Sequence, residues 1–256
     1  RNYMVEYFRS AVLPWGGRVF AANSDPKSAA LAAAEESFVV PPLSHPSYIE
    51  VLIRICHQHD IGAIIPLFDL ELPLLARARD RLSRAGIRAI VSAPRVVDVC
   101  NDKWCTAGFL AKHGLGTPRT YLSLESVLAG LASGEVSFPL IIKPRWGMGS
   151  IGLMEAEDDH ELRVLAAKAA RIIEKSYLAT QSRQEPAKAI LFQEKLRGQE
   201  YGLDVVSDLQ AKYVTTFVKK KIAMRAGETD SAVTVNDPQL LQLGEKISLA
   251  LGHIAN

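Results

Sequence analysis

The apolar positions of the first hundred residues alternate between a helical period and short runs that read as strands. Residues 2–10 (NYMVEYFRS) have the spacing of an amphipathic helix, and residues 18–22 (RVFAA) form a short apolar strand. The turn cluster Asn23-Ser24-Asp25-Pro26 closes that strand. Phe38-Val39-Val40, ahead of Pro41-Pro42, reads as a second strand. Residues 48–57 place Ile49, Leu52, Ile53 and Cys56 at helical spacing. Residues 61–66 (IGAIIP) are almost continuously apolar, the mark of a parallel strand buried on both faces. Residues 72–82 return to a helix, Gly86 stops it, and residues 87–92 (IRAIVS) give the next buried strand. Strands separated by helices of this length predict a doubly wound parallel α/β layer over residues 1–98.

Beyond Asp98 the texture changes. A helix over residues 103–113 stops at Gly114 and Gly116-Thr117-Pro118. Residues 138–143 (FPLIIK) read as a strand, 147–152 as a flexible loop, 153–156 as a second short strand and 160–176 as a long helix. Residues 190–194, 201–207 and 211–219 follow as strands, and 238–251 as a last helix. Strands mixed with single helices predict an α+β second domain over 99–256.

Composition narrows the classes. Hydrophobic residues make up 48% and charged residues 23% of 256, which is the globular range. Thirty basic against 28 acidic side chains leave +2, too balanced for non-specific binding to nucleic acid. Cys56, Cys100 and Cys105 are odd in number and lack a CxxC spacing, which favours a reducing, cytoplasmic setting over a disulfide or zinc scaffold. No apolar run approaches the ~18–20 residues of a membrane span. The chain opens at Arg1 without a Met and closes at Asn256 straight after a helix-like stretch, so it reads as part of a longer fold. His57 and His59 have metal-like spacing only on a strand, whereas they fall at a helix end, where a histidine complements the helix dipole.

Gly147-Met148-Gly149-Ser150-Ile151-Gly152 spells the glycine fingerprint of dinucleotide folds. That fold needs a helix to begin at the loop, and the strand-like Leu153-Met154-Glu155-Ala156 follows instead. The alternative is a glycine hairpin whose backbone N–H groups close over a polyphosphate, with Lys143 beside it as a point charge. A plain surface hairpin is the bland reading.

Five stretches, in order, resemble the ATP-grasp superfamily, and more closely its carbamoyl-phosphate synthase large-subunit-like branch. They are residues 64–76 (IIPLFDLELPLLA), Asn101-Asp102-Lys103 with Gly116-Thr117-Pro118, residues 138–152 (FPLIIKPRWGMGSIG), residues 192–204 (FQEKLRGQEYGLD), and Arg225-Ala226-Gly227-Glu228-Thr229. The resemblance implies a pre-ATP-grasp Rossmann-like domain over 1–98, its first strand missing before Arg1. An ATP-grasp domain truncated at its C-terminal end would occupy 99–256. It implies ATP bound by Lys103, Lys143 and the loop Gly147, Met148, Gly149, Ser150 and Gly152. Gln193, Glu194, Lys195 and Leu196 would form a hinge reading adenine, and Glu200 would accept from the ribose.

Lys221 and Arg225 would act on the transferred phosphate as catalytic groups. A period of two puts Lys219 and Lys221 on one strand face and Lys220 on the other, although such a run also suits a solvated edge strand. Arg225 with Glu228 could equally be a loop ion pair of small value. Trp104 and Trp146 read as packing residues, with Trp146 also placed to cover nucleotide. The family's Mg2+ is held by a late Glu and a Glu-x-Asn pair. Residues 222–256 contain nothing similar, and Asp230 and Asp237 read as isolated loop residues, so the metal ligands are expected after Asn256.

The reaction implied is ATP-dependent ligation of a carboxylate to an amine or other nucleophile through an acyl phosphate. Its partners are small molecules, with a homodimer left open and neither nucleic acid nor membrane expected. A nucleotide-binding module without turnover and a nicotinamide-dependent dehydrogenase remain as rivals. The dehydrogenase requires a helix over residues 150–157.

Overall fold

The computed structural model describes residues 2–183, 185–225 and 228–256, with the side chain of Glu228 excluded. The chain divides into two compact units, Arg1–Ala89 and Ile90–Asn256.

The first unit runs α1 (Asn2–Val12), β1 (Phe20–Asn23), α2 (Ala29–Ala33), β2 (Glu36–Val39), α3 (Tyr48–Gln58), β3 (Ala63–Ile64), α4 (Leu72–Arg84) and β4 (Arg88–Ala89). β1 pairs with β2 and β3 with β4, both in parallel, each pair joined through a helix as an α/β layer requires. α3 and α4 form because Ile49, Leu52, Cys56, Leu75, Ala76 and Leu82 recur on one face of each and are buried. Glu71 of the LFDLEL stretch joins them, its carboxylate accepting from the Tyr48 hydroxyl at 2.6 Å.

The apolar run at 61–66 is shorter as a strand than its letters suggest. Only Ala63 and Ile64 enter the ladder, Gly62 and Ala63 are exposed, and Ile65 stays 44% exposed. A two-residue ladder orders too little backbone to carry a strand buried on both faces. His57 sits in the last turn of α3 with Nε2 2.9 Å from the Ala85 carbonyl, and His59 lies 3.3 Å from Glu36. The two rings therefore have separate protein partners.

The second unit holds α5 (Pro94–Asn101), α6 (Lys103–Lys112), β5 (Thr120–Tyr121), α7 (Leu124–Ala132), β6 (Leu140–Pro144), β7 (Met154–Ala156), α8 (Asp159–Glu174), α9 (Ala179–Ser182), β8 (Ile190–Glu194), β9 (Tyr201–Ser207), β10 (Tyr213–Arg225), β11 (Glu228–Val235) and α10 (Pro238–Leu251). One sheet has the order β5-β8-β6-β7 and is antiparallel throughout. Leu140 and Ile142 of β6, Ala156 of β7 and Phe192 of β8 pack with Val127 of α7 and Leu162, Ala166 and Ala169 of α8 in one buried core. Alternation on β6 sends Leu140 and Ile142 into that core and leaves Ile141 and Lys143 on the opposite face.

A second sheet has the order β11-β10-β9, with α10 against β10 and β9. β10 is its central strand, so the lysine run at 219–221 does not guard a sheet edge. β11 was not evident from the letters, because residues 228–235 (ETDSAVTV) lack an apolar alternation, and residues 229–235 remain largely exposed. Its presence corrects the loop expected around Asp230. Asp237 is also placed, as the N-cap of α10, accepting from Gln239 N at 3.0 Å and Leu240 N at 3.2 Å. Among the described residues no helix is long and apolar enough to cross a membrane.

Candidate functional site

The glycine stretch joins two antiparallel strands. Leu140, Ile141 and Ile142 of β6 face Ala156, Glu155 and Met154 of β7, and the segment between them is a turn-rich loop. The helix that a dinucleotide fold requires over residues 150–157 is replaced by strand β7, which removes the dehydrogenase reading. Gly147, Gly149 and Gly152 hold φ of +86°, +71° and +67°, and Ser150 shares the left-handed region at +55°.

Gly147 is fixed by space as well as torsion. A Cβ there would lie 2.2 Å from Leu178 Cδ2. Gly147→Ala is therefore expected to destabilise the chain by about 2–4 kcal/mol, combining left-handed strain with overpacking. Urea unfolding would show it as a lower midpoint at unchanged m.

Two lysines converge on the first residue of this loop and on the strand that feeds it. Asp102 ends α5 and caps α6, its Oδ1 accepting from Trp104 N at 2.9 Å and Cys105 N at 3.3 Å. Lys103, the first helical residue, donates from Nζ to the Gly147 carbonyl at 2.7 Å. Lys143 leaves β6 on the face away from the core. Gln193 of β8 stands opposite Ile141, so Lys143 is its diagonal neighbour and donates to Oε1 at 2.5 Å. Gln193 in turn donates from Nε2 to Thr120 Oγ1 at 2.7 Å, and that hydroxyl donates to the Pro118 carbonyl at 2.8 Å.

Burial pushes the Lys143 ammonium below the ordinary lysine value. Lys103 is brought down to about 8, first by burial and then by repulsion from Lys143, with Asp102 pulling the other way. Two desolvated, mutually repelling cations at the root of a glycine hairpin are stabilised together by an anion that approaches between them. A polyphosphate fits this donor set, and the glycine cradle leaves room for its close approach.

Arg145 stands behind the lysines, and sequence reasoning passed over it. Its Nε lies 3.0 and 2.9 Å from the two Asp102 oxygens and one terminal nitrogen 2.7 Å from Oδ2, while Glu185 is 3.4 Å from the other. Both Arg145 and Asp102 are only 7% exposed. The signal was a period of two from Lys143, which puts a second cation on the same side just past Pro144, where β6 ends. Trp146 packs with its ring 4.5 Å from the guanidinium carbon, so it stacks within the protein. Trp104 remains 38% exposed.

The remaining expected residues form a second group. Glu194 is engaged with the neighbouring strand: its N–H donates to the Arg119 carbonyl at 2.9 Å and its carboxylate accepts from Arg119 N at 3.2 Å. Lys195 pairs with Glu155 of β7 at 2.5 Å, and Leu196 is exposed. Glu194, Lys195 and Leu196 line a cavity of about 320 Å3 with Ser137, Phe138, Pro139 and Arg197. Glu200 accepts from Lys221 at 2.6 Å, and Lys219 pairs with Asp204 at 2.6 Å, on one face of the β9–β10 ladder.

Arg225 pairs with Asp230 at 2.9 Å across the β10–β11 turn. Its expected contact with Glu228 cannot be placed, and Ala226 and Gly227 of that stretch lie outside the described residues. Among the described residues no group of three or more His, Cys, Asp or Glu side chains could hold a metal ion. The described residues alone therefore do not supply a site for the Mg2+ whose ligands are expected after Asn256.

Comparison with known proteins places both units of the chain in known families. A family model described as the N-terminal domain of PylC-like proteins matches residues 1–90, and one described as an ATP-grasp domain matches residues 100–254. The carbamoyl phosphate synthase large chain of Campylobacter jejuni is 25% identical over 131 residues, covering 51% of this chain and 12% of that protein. The chain thus spans about an eighth of that relative's length.

The biotin carboxylase domain of Hydrogenobacter thermophilus 2-oxoglutarate carboxylase, solved with MgADP and bicarbonate, superposes at a TM-score of 0.73. It has 14% identity and covers 98% of this chain and 56% of its own. L-amino acid ligase from Bacillus licheniformis superposes at 0.69 with 17% identity, over 96% of this chain and 59% of its own. With more than half of its 256 residues matched by the ATP-grasp domain model, the chain belongs to the ATP-grasp family.

Proposed function

We propose that the protein containing this chain is an ATP-dependent ligase that joins a carboxylate to an amine or another nucleophile. The observation that carries this reading is the convergence of Lys103 and Lys143 on the root of the glycine hairpin. In it, residues 1–98 form the pre-ATP-grasp domain and 99–256 the nucleotide-binding domain.

Lys103 and Lys143 neutralise the phosphates, and Gly147, Met148, Gly149, Ser150 and Gly152 close over them and keep water out. The Glu194 amide is committed to Arg119, so the adenine edge is read from Lys195, with Leu196 giving apolar contact beside the 320 Å3 cavity. Glu200 exchanges Lys221 for the ribose hydroxyls, and the released Lys221, with Arg225, meets the transferred phosphate. The carboxylate oxygen of the acid attacks the terminal phosphorus, the bond to ADP breaks, and an acyl phosphate forms. The nucleophile then attacks the acyl carbon, and inorganic phosphate leaves with the C–O electron pair. No step is assigned to a metal ion, because the described residues do not form a site for one.

Hydroxylamine trapping tests this reading on the full-length protein. Incubation with ATP, magnesium and a panel of carboxylic acids should give hydroxamate and ADP in equal amounts for the cognate acid. ADP release without hydroxamate would contradict the acyl phosphate. Tight ATP binding with no turnover on any acid would leave a nucleotide-binding module.

A further inference from the structure

We propose that Asp102 and Arg145 are a positioning pair which sets the location of Lys103 against the glycine hairpin, resting on the phosphate-site reading above for its purpose. The pair ties together two segments far apart in sequence. From one side, Asp102 caps α6 through Trp104 N and Cys105 N, and so fixes the first turn that carries Lys103. From the other, Arg145 follows Lys143 and Pro144 out of β6, and its N–H donates to the Ala189 carbonyl at 2.9 Å. The Arg145 carbonyl accepts from Lys103 N at 3.1 Å, and Asp102 and Trp146 form an isolated bridge. The guanidinium fork on the Asp102 carboxylate closes this ring of contacts.

The geometry is over-determined. Backbone and side chain of Lys103 are both bonded to residues 145 and 147, while Asp102 and Arg145 hold that register from below. Asp102 and Arg145 are both nearly buried, and their side chains are spent on each other. They act on phosphate through Lys103, whose charged neighbours are Lys143 and Asp102. A planar fork gripping both carboxylate oxygens fixes orientation as well as distance, which a lysine ammonium cannot do.

The test uses Arg145→Lys, which keeps the charge and loses the fork, with Asp102→Asn as a second variant that keeps the cap acceptor. Competitive acetylation followed by mass spectrometry reads the titration midpoint of Lys103 without any nucleotide. The wild-type midpoint should lie near 8. In Arg145→Lys, Lys103 regains water and its midpoint rises by about a unit or more toward ordinary lysine. Affinity for ATP should fall roughly tenfold or more in both variants, with adenosine affinity unchanged.

A midpoint that stays at 8, with the ATP-to-adenosine ratio preserved, would overturn the proposal even if both variants lose thermal stability, since that is a purely structural role. The labelling arm separates the two readings. A raised midpoint in Arg145→Lys, in a chain that never binds ATP, supports the positioning pair and removes the nucleotide site. ATP binding with an unshifted midpoint does the reverse.

Discussion

Arg145→Ala is expected to lower stability by about 3–5 kcal/mol, among the larger effects of a single substitution in this chain. The cost comes from the partner left behind. Asp102 is 7% exposed, and burial alone would raise its carboxyl. Hydrogen bonds from Arg145 and Cys105 and attraction to the guanidinium outweigh burial and hold it below the usual range. Without Arg145 the balance reverses and the carboxyl moves above its unfolded value. The native variant then binds a proton the unfolded chain has lost, so its stability falls as pH rises through the window between those two values.

The wild type behaves oppositely, losing the contribution of Asp102 as pH falls through its depressed native value. The double substitution Asp102→Asn with Arg145→Ala should recover most of the loss, because no buried charge remains unpaired. Urea unfolding of the cycle at pH 5 and pH 8 measures all of this. Additive losses in the double variant would show that the two side chains are not coupled.

Lys103→Met should do something less usual: stabilise the ligand-free chain while abolishing phosphate binding. Lys103 falls from 10.5 to about 8 because burial and Lys143 oppose its charge. A depression of that size corresponds to about 3 kcal/mol held against folding at neutral pH. Loss of the bond to the Gly147 carbonyl offsets about 1 kcal/mol of the relief, so the net gain is about 1–2 kcal/mol.

The sign follows from the direction of the shift. The native lysine releases its proton before the unfolded one, so the penalty is complete below pH 8 and fades as pH rises toward 10.5. The advantage of the variant should shrink across that window. Thermal unfolding at pH 7 and pH 10 reads it, and a variant less stable than wild type at both would show that Lys103 is not strained in the empty site. A gain in stability on removing a functional group is the expected mark of a site organised for a charged ligand.

Much of the fold was written in local chemistry. Leu153-Met154-Glu155-Ala156 after the glycines already argued for a hairpin over a dinucleotide turn, and β7 forms there. Period-two reasoning put Lys219 and Lys221 on one face, where both find acidic partners on the adjoining β9 segment. What local patterns could not supply was neighbourhood. Residues 61–66 have the letters of a buried strand, yet strand length depends on how far β4 extends beside them. Residues 228–235 carry no periodic apolar signal, so β11 exists through its pairing with β10.

The same limit applies to the site. Lys103, Lys143 and the glycines were visible as residue types that suit phosphate. The Gln193–Thr120 chain and the Asp102–Arg145 pair depend on contacts across 73 and 43 residues, which one sequence does not reveal. Arg225 stands opposite Glu228 in the ladder, as its place in the turn suggested, and its side chain also reaches Asp230, which the letters did not show.

The most direct test is calorimetric titration of this chain with ATP, adenosine and NADH, with and without Mg2+, alongside Lys143→Ala. The lysine-glycine site predicts ATP binding that weakens about 10–100-fold in the variant, the worth of one charge-assisted contact, while adenosine binds both proteins equally. A folded chain that binds no ATP, or binds it equally well without Lys143, would contradict the site.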